Sequence, residues 1–267
     1  MPQQKKDMMA SLLKSHANKA LQIDDVIKGK GKGLVFLLHG PPGVGKTLTA
    51  ESVADCYQRP LCVLGAGDLG GFGARVEKKL DQAMRLAVRW DAALLIDEAD
   101  IFMEERKENE ILHNELVLVL LRCVEYYQGV MFLTTNRMGS IDPAFKPRIH
   151  LALSLPPLCI DDRKRLWERF LVNATGGRPK FLTAKYMDKI ARENINCREI
   201  KNIVRLSFAL ATSANRQLRS NDVDESLQSL KSFEKDFEDA QNDKKRTAEF
   251  ESQRNPKRVK KQFFGLV

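Results

Sequence analysis

The eight residues from Gly40 to Thr47, GPPGVGKT, constrain the fold of this 267-residue chain more than any other feature. They match the pattern GxxxxGK[ST], and they lie between a short apolar run at residues 33–40 and a segment with helical character at residues 47–57. In that setting the backbone N–H groups of a glycine-rich loop and the N-terminus of a helix surround a phosphate group. A turn that matches the pattern by chance would not explain the flanking strand and helix. The sequence therefore predicts a nucleotide-binding strand, loop and helix.

Each position of this loop has a predicted task. Lys46 is expected to reach the β- and γ-phosphates of a bound nucleotide, and the hydroxyl of Thr47 is expected to coordinate Mg²⁺. The residues predicted to bind the nucleotide are Gly40, Pro41, Pro42, Gly43, Val44, Gly45, Lys46, Thr47 and Leu48.

A second element of the predicted site is the segment LLIDEAD, residues 94–100, in which an apolar strand ends in adjacent acids. Ligands of parallel sheets bind at the carboxyl ends of the strands, where these acids are expected to lie. Asp97 is predicted to hold the Mg²⁺ ion, and Glu98 is predicted to orient and polarise an attacking water. Alone, the segment could equally end in ordinary solvent-facing acids. The phosphate loop some fifty residues upstream favours catalysis.

Apolar runs of strand length alternate with helical patterns in the first part of the chain. Such alternation, with strands apolar on both faces, predicts an α/β fold of the P-loop NTPase type, with a parallel five-stranded sheet flanked by helices. Strands are predicted at 33–40, 60–65, 92–100, 130–136 and 150–156, and helices at 47–57, 75–90 and 114–129.

Beyond the pair Pro156-Pro157 the strand pattern stops and only helical patterns follow. The sequence predicts a small all-α domain there. Its helices are expected at 161–174, 183–193, 198–215 and 220–240.

The net charge of +9 could indicate a nucleic-acid partner, but the charge belongs to the two ends of the chain. Residues 1–33 carry +4 and residues 241–267 carry +5, so the folded middle is neutral and nucleic acid is not an expected partner. The five cysteines form no CxxC pair, which favours a reducing intracellular compartment and no structural zinc. No apolar run reaches the roughly 18 to 20 residues of a membrane span.

The two motifs together resemble the AAA ATPases. HGPPGVGKT (39–47) and LLIDEAD (94–100) are similar to the family's two phosphate motifs, and TTNR (134–137) with IDPAFKPRIH (141–150) resembles its second region of homology. The resemblance covers roughly residues 24–215. It is closest to a branch abundant in fungal genomes, in which this module usually ends a much longer chain. The chain is therefore expected to be a fragment or a truncated gene product.

The resemblance implies roles for further residues. Asn136 matches a polar sensor of the γ-phosphate or the water, although a strand-ending turn would also account for it. Arg148 matches an arginine finger that reaches the ATP of a neighbouring subunit, although an ordinary surface charge would also account for it. The family usually has two arginines here, whereas this chain has Lys146-Pro147-Arg148, which leaves the number of fingers open. Arg198 matches a second sensor or, equally, a solvated helix cap.

Two other expectations rest on the resemblance alone. Val26 and Ile27 correspond to the linker beside adenine, and Phe72 lies near the position of a substrate-threading aromatic residue. Phe72 could equally be an ordinary loop residue whose side chain folds back on the core. The predicted domains are a basic linker (1–23), the α/β domain (24–157), a helical lid (158–240) and a disordered basic tail (241–267).

The leading hypothesis is an ATP hydrolase that uses Mg²⁺, forms a ring, expected to be a hexamer, and remodels a protein substrate. One rival is a nucleotide-gated scaffold with little turnover, and another is a clamp-loader-like motor directed to nucleic acid. In the tail, residues 245–261 match the spacing of a bipartite nuclear-import signal, although a solvated tail has the same composition. The chain is expected to be soluble, in the cytoplasm or nucleus.

Overall fold

The computed structural model describes residues 3–17, 31–69 and 74–254. Val26, Ile27, Phe72 and the second basic cluster of the tail, 257–261, lie outside these ranges. The chain divides into two compact units, which we call unit 1 (Met1–Cys159) and unit 2 (Ile160–Val267).

Unit 1 contains the predicted sheet. Five parallel strands are hydrogen-bonded in the order β2-β3-β4-β1-β5, which confirms the predicted fold class. Since β1 lies between β4 and β5, the loop that follows it opens at the carboxyl edge beside both neighbours. The strands are β1 (Leu34–His39), β2 (Leu61–Gly65), β3 (Ala93–Asp97), β4 (Val130–Thr135) and β5 (Leu151–Ser154).

Helices cover both faces of this sheet, because the central strands are apolar on both sides. One face packs against α4 and α6, and the other packs against α1 and α2. The helices of unit 1 are α1 (Gln3–Ala17), α2 (Lys46–Cys56), α3 (Ala66–Leu69), α4 (Ala74–Arg89), α5 (Asp100–Met103) and α6 (Ile111–Tyr126), with 3₁₀ helices at Met138–Ser140 and Pro143–Arg148.

Helix α1 corrects one prediction, because residues 3–17 were expected to belong to a basic linker. Met9 and Leu13 are only 5% exposed and join the core that contains Phe36. Their spacing of four residues places both on one face of the helix. The apolar stripe is short and lies among lysines, so the charged composition of the segment does not indicate a helix with a buried face.

The described part of unit 2, residues 160–254, contains helices and no strand, as predicted. Asn196 and Glu199 form a capping box at the start of the third helix, in which the Asn196 side chain accepts the Glu199 N–H at 3.0 Å. The helices are α7 (Ile160–Thr175), α8 (Ala184–Ala191), α9 (Cys197–Ser213) and α10 (Ser220–Arg254).

Helix α10 is longer than the sequence predicts. It continues to Arg254, which corrects the expected loss of regular structure from Gln241 onward. Residues 241–254 contain no glycine or proline, and Pro256 is the first helix-breaking residue after them. The high charge that indicated disorder is therefore compatible with a helix. None of the helices in the described part of the chain combines the length and the apolar character that a membrane crossing needs.

Candidate active site

The loop between β1 and α2 depends on glycine at two positions. Gly40 has φ +152°, and a Cβ atom there would lie 2.1 Å from the carbonyl oxygen of Leu155. Gly45 precedes α2 with φ +95°, in the left-handed region. A side chain at Gly40 would clash with the residue that follows β5, and a side chain at Gly45 would strain the backbone. The glycines therefore allow the loop to lie close to the sheet edge and to end at the N-terminus of a helix.

Lys46 is the first residue of α2 and is only 8% exposed. Its ammonium group donates hydrogen bonds to the carbonyl oxygens of Gly40 at 2.9 Å and Pro41 at 2.8 Å, and to Oδ1 of Asn136 at 2.6 Å. The structure thus brings together the predicted phosphate lysine and the predicted sensor, which are 90 residues apart in sequence. A lysine ammonium has three donors, so binding a phosphate would require Lys46 to exchange some of these acceptors.

Thr47 and Asp97 meet at the same edge of the sheet. The Thr47 hydroxyl donates to Asp97, with distances of 3.1 Å to Oδ1 and 3.0 Å to Oδ2. A hydroxyl and a carboxylate are hard oxygen ligands of the kind that Mg²⁺ prefers, and Mg²⁺ in nucleotide sites takes its other ligands from phosphate and water. The donor set therefore fits a magnesium ion bound together with a nucleotide.

Thr134, which the sequence did not single out as a site residue, connects the two acids. Ile96 pairs with Leu133 in the sheet, so the residues that follow, Asp97 and Thr134, lie side by side. The Thr134 hydroxyl donates to Oδ1 of Asp97 at 2.5 Å and accepts the backbone N–H of Glu98 at 2.9 Å. Thr134 is 1% exposed, so water cannot easily replace these bonds.

Glu98 follows β3 with an exposed side chain and a strained backbone. Its φ is +55°, a left-handed conformation that non-glycine residues seldom adopt. The hydrogen bond from its N–H to Thr134, and that from the next N–H, of Ala99, to the Thr134 carbonyl oxygen at 2.9 Å, hold this turn. Strained residues that are held in this way cluster at functional sites.

Asp100 joins the acidic segment to the loop that carries Asn136. Its carboxylate accepts the hydroxyl of Thr135 and the N–H of Asn136, the latter at 3.2 Å. Thr135 is fully buried, and its hydroxyl also accepts the N–H of Arg137 at 2.9 Å. Asp100 and Thr135 therefore fix the position of the predicted sensor. The motif LLIDEAD contains Asp100, but its partner on β4 could not be identified without the strand register.

Two lysines affect the ionisation of His39, the last residue of β1 before the loop. Partial burial, followed by the charges of Lys5 and Lys46, lowers the pKa of His39 below its ordinary value of 6.5. Lys5 belongs to α1, so the helix that the sequence did not predict also contributes charge beside the loop. Positive charge at this edge favours an anionic ligand.

Leu48, Arg148 and Arg198 are predicted site residues that are not among the hydrogen-bond partners named above. Leu48 is 54% exposed in the first turn of α2. Arg148 ends the 3₁₀ helix Pro143–Arg148 and bonds to residues of its own chain, Glu125 and Ala144. Arg198 belongs to unit 2, where it is exposed in the first turn of α9, and the cap of that helix is Asn196. The roles predicted for Leu48, Arg148 and Arg198 stay predictions.

Comparison with known proteins finds a family model, curated proteins and a solved structure that are similar to this chain. The sequence model described as "ATPase family associated with various cellular activities (AAA)" matches residues 36–156. The chain is similar to the mouse (Mus musculus) nuclear valosin-containing protein-like protein, with 32% identity over 120 residues, 41% of this chain and 14% of that protein. It is also similar to the Drosophila melanogaster homologue of ATPase family AAA domain-containing protein 3A, with 28% identity over 145 residues, 51% of this chain and 24% of that protein.

A solved structure shares the fold. The AAA domain of FIGL-1, crystallised in complex with ADP, aligns with a TM-score of 0.58 and 19% identity, over 73% of this chain and 70% of that one. The chain spans less than a quarter of the length of the two curated relatives above.

Proposed function

Because the chain belongs to the AAA family of ATPases through its domain at residues 36–156, we propose that it hydrolyses ATP to ADP and phosphate with Mg²⁺. One observation carries the proposal: Lys46 is hydrogen-bonded to Asn136, and Thr47 is hydrogen-bonded to Asp97, at the carboxyl edge of the sheet. These pairs bring the phosphate motif, the acidic motif and the sensor into one place. The positive charge around His39 supports an anionic substrate.

The chemistry assigned to each residue follows from its donor or acceptor groups. The N–H groups of the loop and the Lys46 ammonium bind the phosphates, and Thr47 and Asp97 hold the metal ion. Mg²⁺, when bound, neutralises charge on the phosphate oxygens. Glu98 orients the attacking water and accepts its proton, and Asn136 helps to place the water or the γ-phosphate. The hydrogen bonds of Thr134 and Asp100 fix the positions of Asp97, Glu98 and Asn136 relative to one another.

The proposal extends to a ring of copies that remodels a protein substrate. In such a ring Arg148 would complete the site of the neighbouring chain, and an arginine in this role is worth about 10³ to 10⁵ in rate. Intact Asp97 and Glu98 favour this reading over that of a scaffold with little turnover. Since the curated relatives are much longer than this chain, the substrate of the whole protein is also part of the proposal.

The test is ATP hydrolysis by the full chain at increasing protein concentration. The wild type should release phosphate in the presence of Mg²⁺, with a rate per chain that rises as copies associate. Glu98→Gln should bind ATP and lose about 10² to 10⁴ in turnover, because the group that accepts the proton is absent. Lys46→Ala should lose ATP binding, and Arg148→Ala should keep binding while losing turnover. A wild type that binds ATP without turnover at every concentration would replace this proposal with the scaffold.

A further inference from the structure

The guanidinium of Arg148 is held by its own chain. One terminal nitrogen donates to Oε2 of Glu125 at 2.9 Å, and the other donates to the carbonyl oxygen of Ala144 at 2.6 Å. Glu125 lies near the end of α6, 23 residues before Arg148. Two elements of the chain, α6 and the 3₁₀ helix Pro143–Arg148, therefore fix one cationic group.

This pair is less exposed than a neighbouring ion pair, Arg122–Glu77. The Arg148 side chain is 26% exposed and that of Glu125 is 22% exposed, whereas Arg122 and Glu77, which pair on the same side of unit 1, are 57% and 42% exposed. Partial burial strengthens a charged hydrogen bond and reduces the freedom that the long arginine side chain would otherwise keep. The Arg148–Glu125 pair can therefore define a single position of the guanidinium.

The hydrogen bonds still leave Arg148 able to receive an anion. A guanidinium has five N–H donors, and Glu125 and Ala144 take two of them, one from each terminal nitrogen. Each terminal nitrogen thus keeps a second N–H. The Nε atom is buried and has no acceptor among the described residues. Arg148 also lines a cavity of about 600 Å³ on the surface of unit 1, together with Glu125 and Ala144.

Helix α6 is a rigid support for the carboxylate. Val124 is 4% exposed and Tyr127 is 3% exposed, and both belong to the core beneath the sheet. The Glu125 carboxylate on this helix therefore has a fixed position relative to the strands of the sheet.

We infer that Glu125 is a positioning residue for Arg148. It holds the guanidinium where a neighbouring chain's triphosphate would meet it, and it leaves N–H donors for the phosphate oxygens. The inference rests on the proposed function, in which Arg148 acts in trans. Misplacing a reacting or stabilising group by about 1 Å can cost about 10² in rate. Glu125→Ala is therefore expected to lower kcat by about 10²-fold with little change in KM for ATP, because its own nucleotide loop is intact.

Two matched variants separate positioning from a general effect on folding. Glu125→Gln keeps a side-chain oxygen that can accept from Arg148 and should retain most of the turnover. Glu77→Gln alters an exposed ion pair that lines the same cavity and should leave kcat unchanged. If Glu125→Gln and Glu125→Ala lower kcat equally while both melt at the wild-type temperature, positioning by this hydrogen bond is contradicted.

Mixing of chains provides the decisive experiment. The acceptor is Arg148→Ala, whose nucleotide site is intact, and the donor is Glu98→Gln, which keeps Arg148 and Glu125 while its own turnover is lower by about 10² to 10⁴. Phosphate release should recover when this donor is added, because its Arg148 completes the acceptor's site. A donor that carries both Glu98→Gln and Glu125→Ala should restore about 10²-fold less activity.

The outcomes distinguish the two proposals. If neither donor restores turnover, or if Arg148→Ala is fully active alone, the trans role of Arg148 in the proposed function fails and the inference about Glu125 is overturned with it. If the two donors restore turnover equally, only the inference about Glu125 is overturned.

Discussion

Unit 1 and unit 2 both bury polar side chains, but these groups have different partners. In unit 1 the buried Lys46, Thr134 and Thr135 lie at the carboxyl edge of the sheet, where their bonds join the nucleotide loop to the acidic and sensor segments. In unit 2 the buried polar groups join one helix or turn to another. Arg163 of α7 donates to the carbonyl oxygen of Ala191 at 2.8 Å.

Two further contacts in unit 2 follow the same pattern. The hydroxyls of Ser207 on α9 and Ser226 on α10 are hydrogen-bonded at 2.9 Å, and buried Asp222 accepts two bonds from Arg216 at 2.7 and 2.6 Å. Burial of a polar group therefore does not by itself identify a site.

In unit 1 Lys46, Thr134 and Thr135 converge on one edge, while buried Asp142 accepts hydrogen bonds from Arg106 and the Ala144 N–H. In unit 2 the buried polar groups are distributed along helix contacts. Substitutions of the three edge residues should therefore change turnover, and substitutions of the buried polar groups of unit 2 should change stability.

The largest effect on stability is expected from Trp167→Ala in unit 2. Trp167 is completely buried, and replacing a buried tryptophan with alanine typically lowers the free energy of unfolding by about 3 to 5 kcal/mol. Calorimetry or urea unfolding of the full chain would measure the loss. Trp90→Ala is the control, because Trp90 is 62% exposed and its removal should cost no more than about 0.5 kcal/mol. Equal losses for the two variants would contradict the assignment of Trp167 to the core of unit 2.

A smaller effect, on turnover, is expected from Thr134→Val in unit 1. Valine has a similar shape but lacks the hydroxyl that bonds to Asp97 and to the Glu98 N–H. Loss of a group that orients metal ligands typically lowers activity by about 10- to 100-fold. Steady-state phosphate release would measure the loss, and Thr134→Ser should retain most of the wild-type rate.

Ser207→Ala is the counterpart of this change in unit 2. It also removes a fully buried hydroxyl, and it should reduce stability by about 1 kcal/mol while leaving turnover unchanged. If Ser207→Ala lowers turnover as much as Thr134→Val does, the predicted difference between the two units is contradicted.

The smallest effect is a difference in pH dependence. All the histidines of the chain lie in unit 1, and burial is the main cause that lowers the pKa of His16, His39 and His150 below 6.5. Below pH 6.5 the unfolded chain therefore binds protons that the folded unit does not, so the stability of unit 1 should fall as the pH drops below 6.5. Urea unfolding at pH 7 and pH 5 would measure this fall in the free energy of unfolding.

Unit 2 should respond only at lower pH. The hydrogen bond from Arg216 is the main cause that lowers the pKa of Asp222 below 3.8. The stability that Asp222 contributes is thus complete above pH 3.8 and is lost as the pH falls through its lower folded pKa. Equal losses in both units between pH 7 and pH 5 would contradict this difference.

The sequence predicted the fold and the four residues Lys46, Thr47, Asp97 and Asn136 that the structure brings together. Lys46, Thr47 and Asp97 could be predicted because they begin a helix or end a strand, and parallel strands carry their carboxyl ends to one edge. Asn136 was predicted from the resemblance to the AAA family. The apolar runs of strand length were sufficient to predict the five strands. The predicted resemblance to the AAA family is confirmed, whereas the likeness to a fungal branch stays a prediction.

Features that depend on tertiary pairing could not be predicted in this way. The bond between Thr134 and Asp97 requires the register of β3 against β4, and the bond between Glu125 and Arg148 requires the packing of α6 against a 3₁₀ helix. Helix α1 was missed because its lysines outweigh its two core residues, Met9 and Leu13.

The most direct test of the central claim is phosphate release from ATP by the full chain, measured beside Lys46→Ala in the same buffer with Mg²⁺. The edge of the sheet that joins Lys46, Thr47, Asp97 and Asn136 should make the wild type release phosphate continuously and should leave Lys46→Ala without measurable release. Equal release by the two proteins would contradict a nucleotide site at this edge.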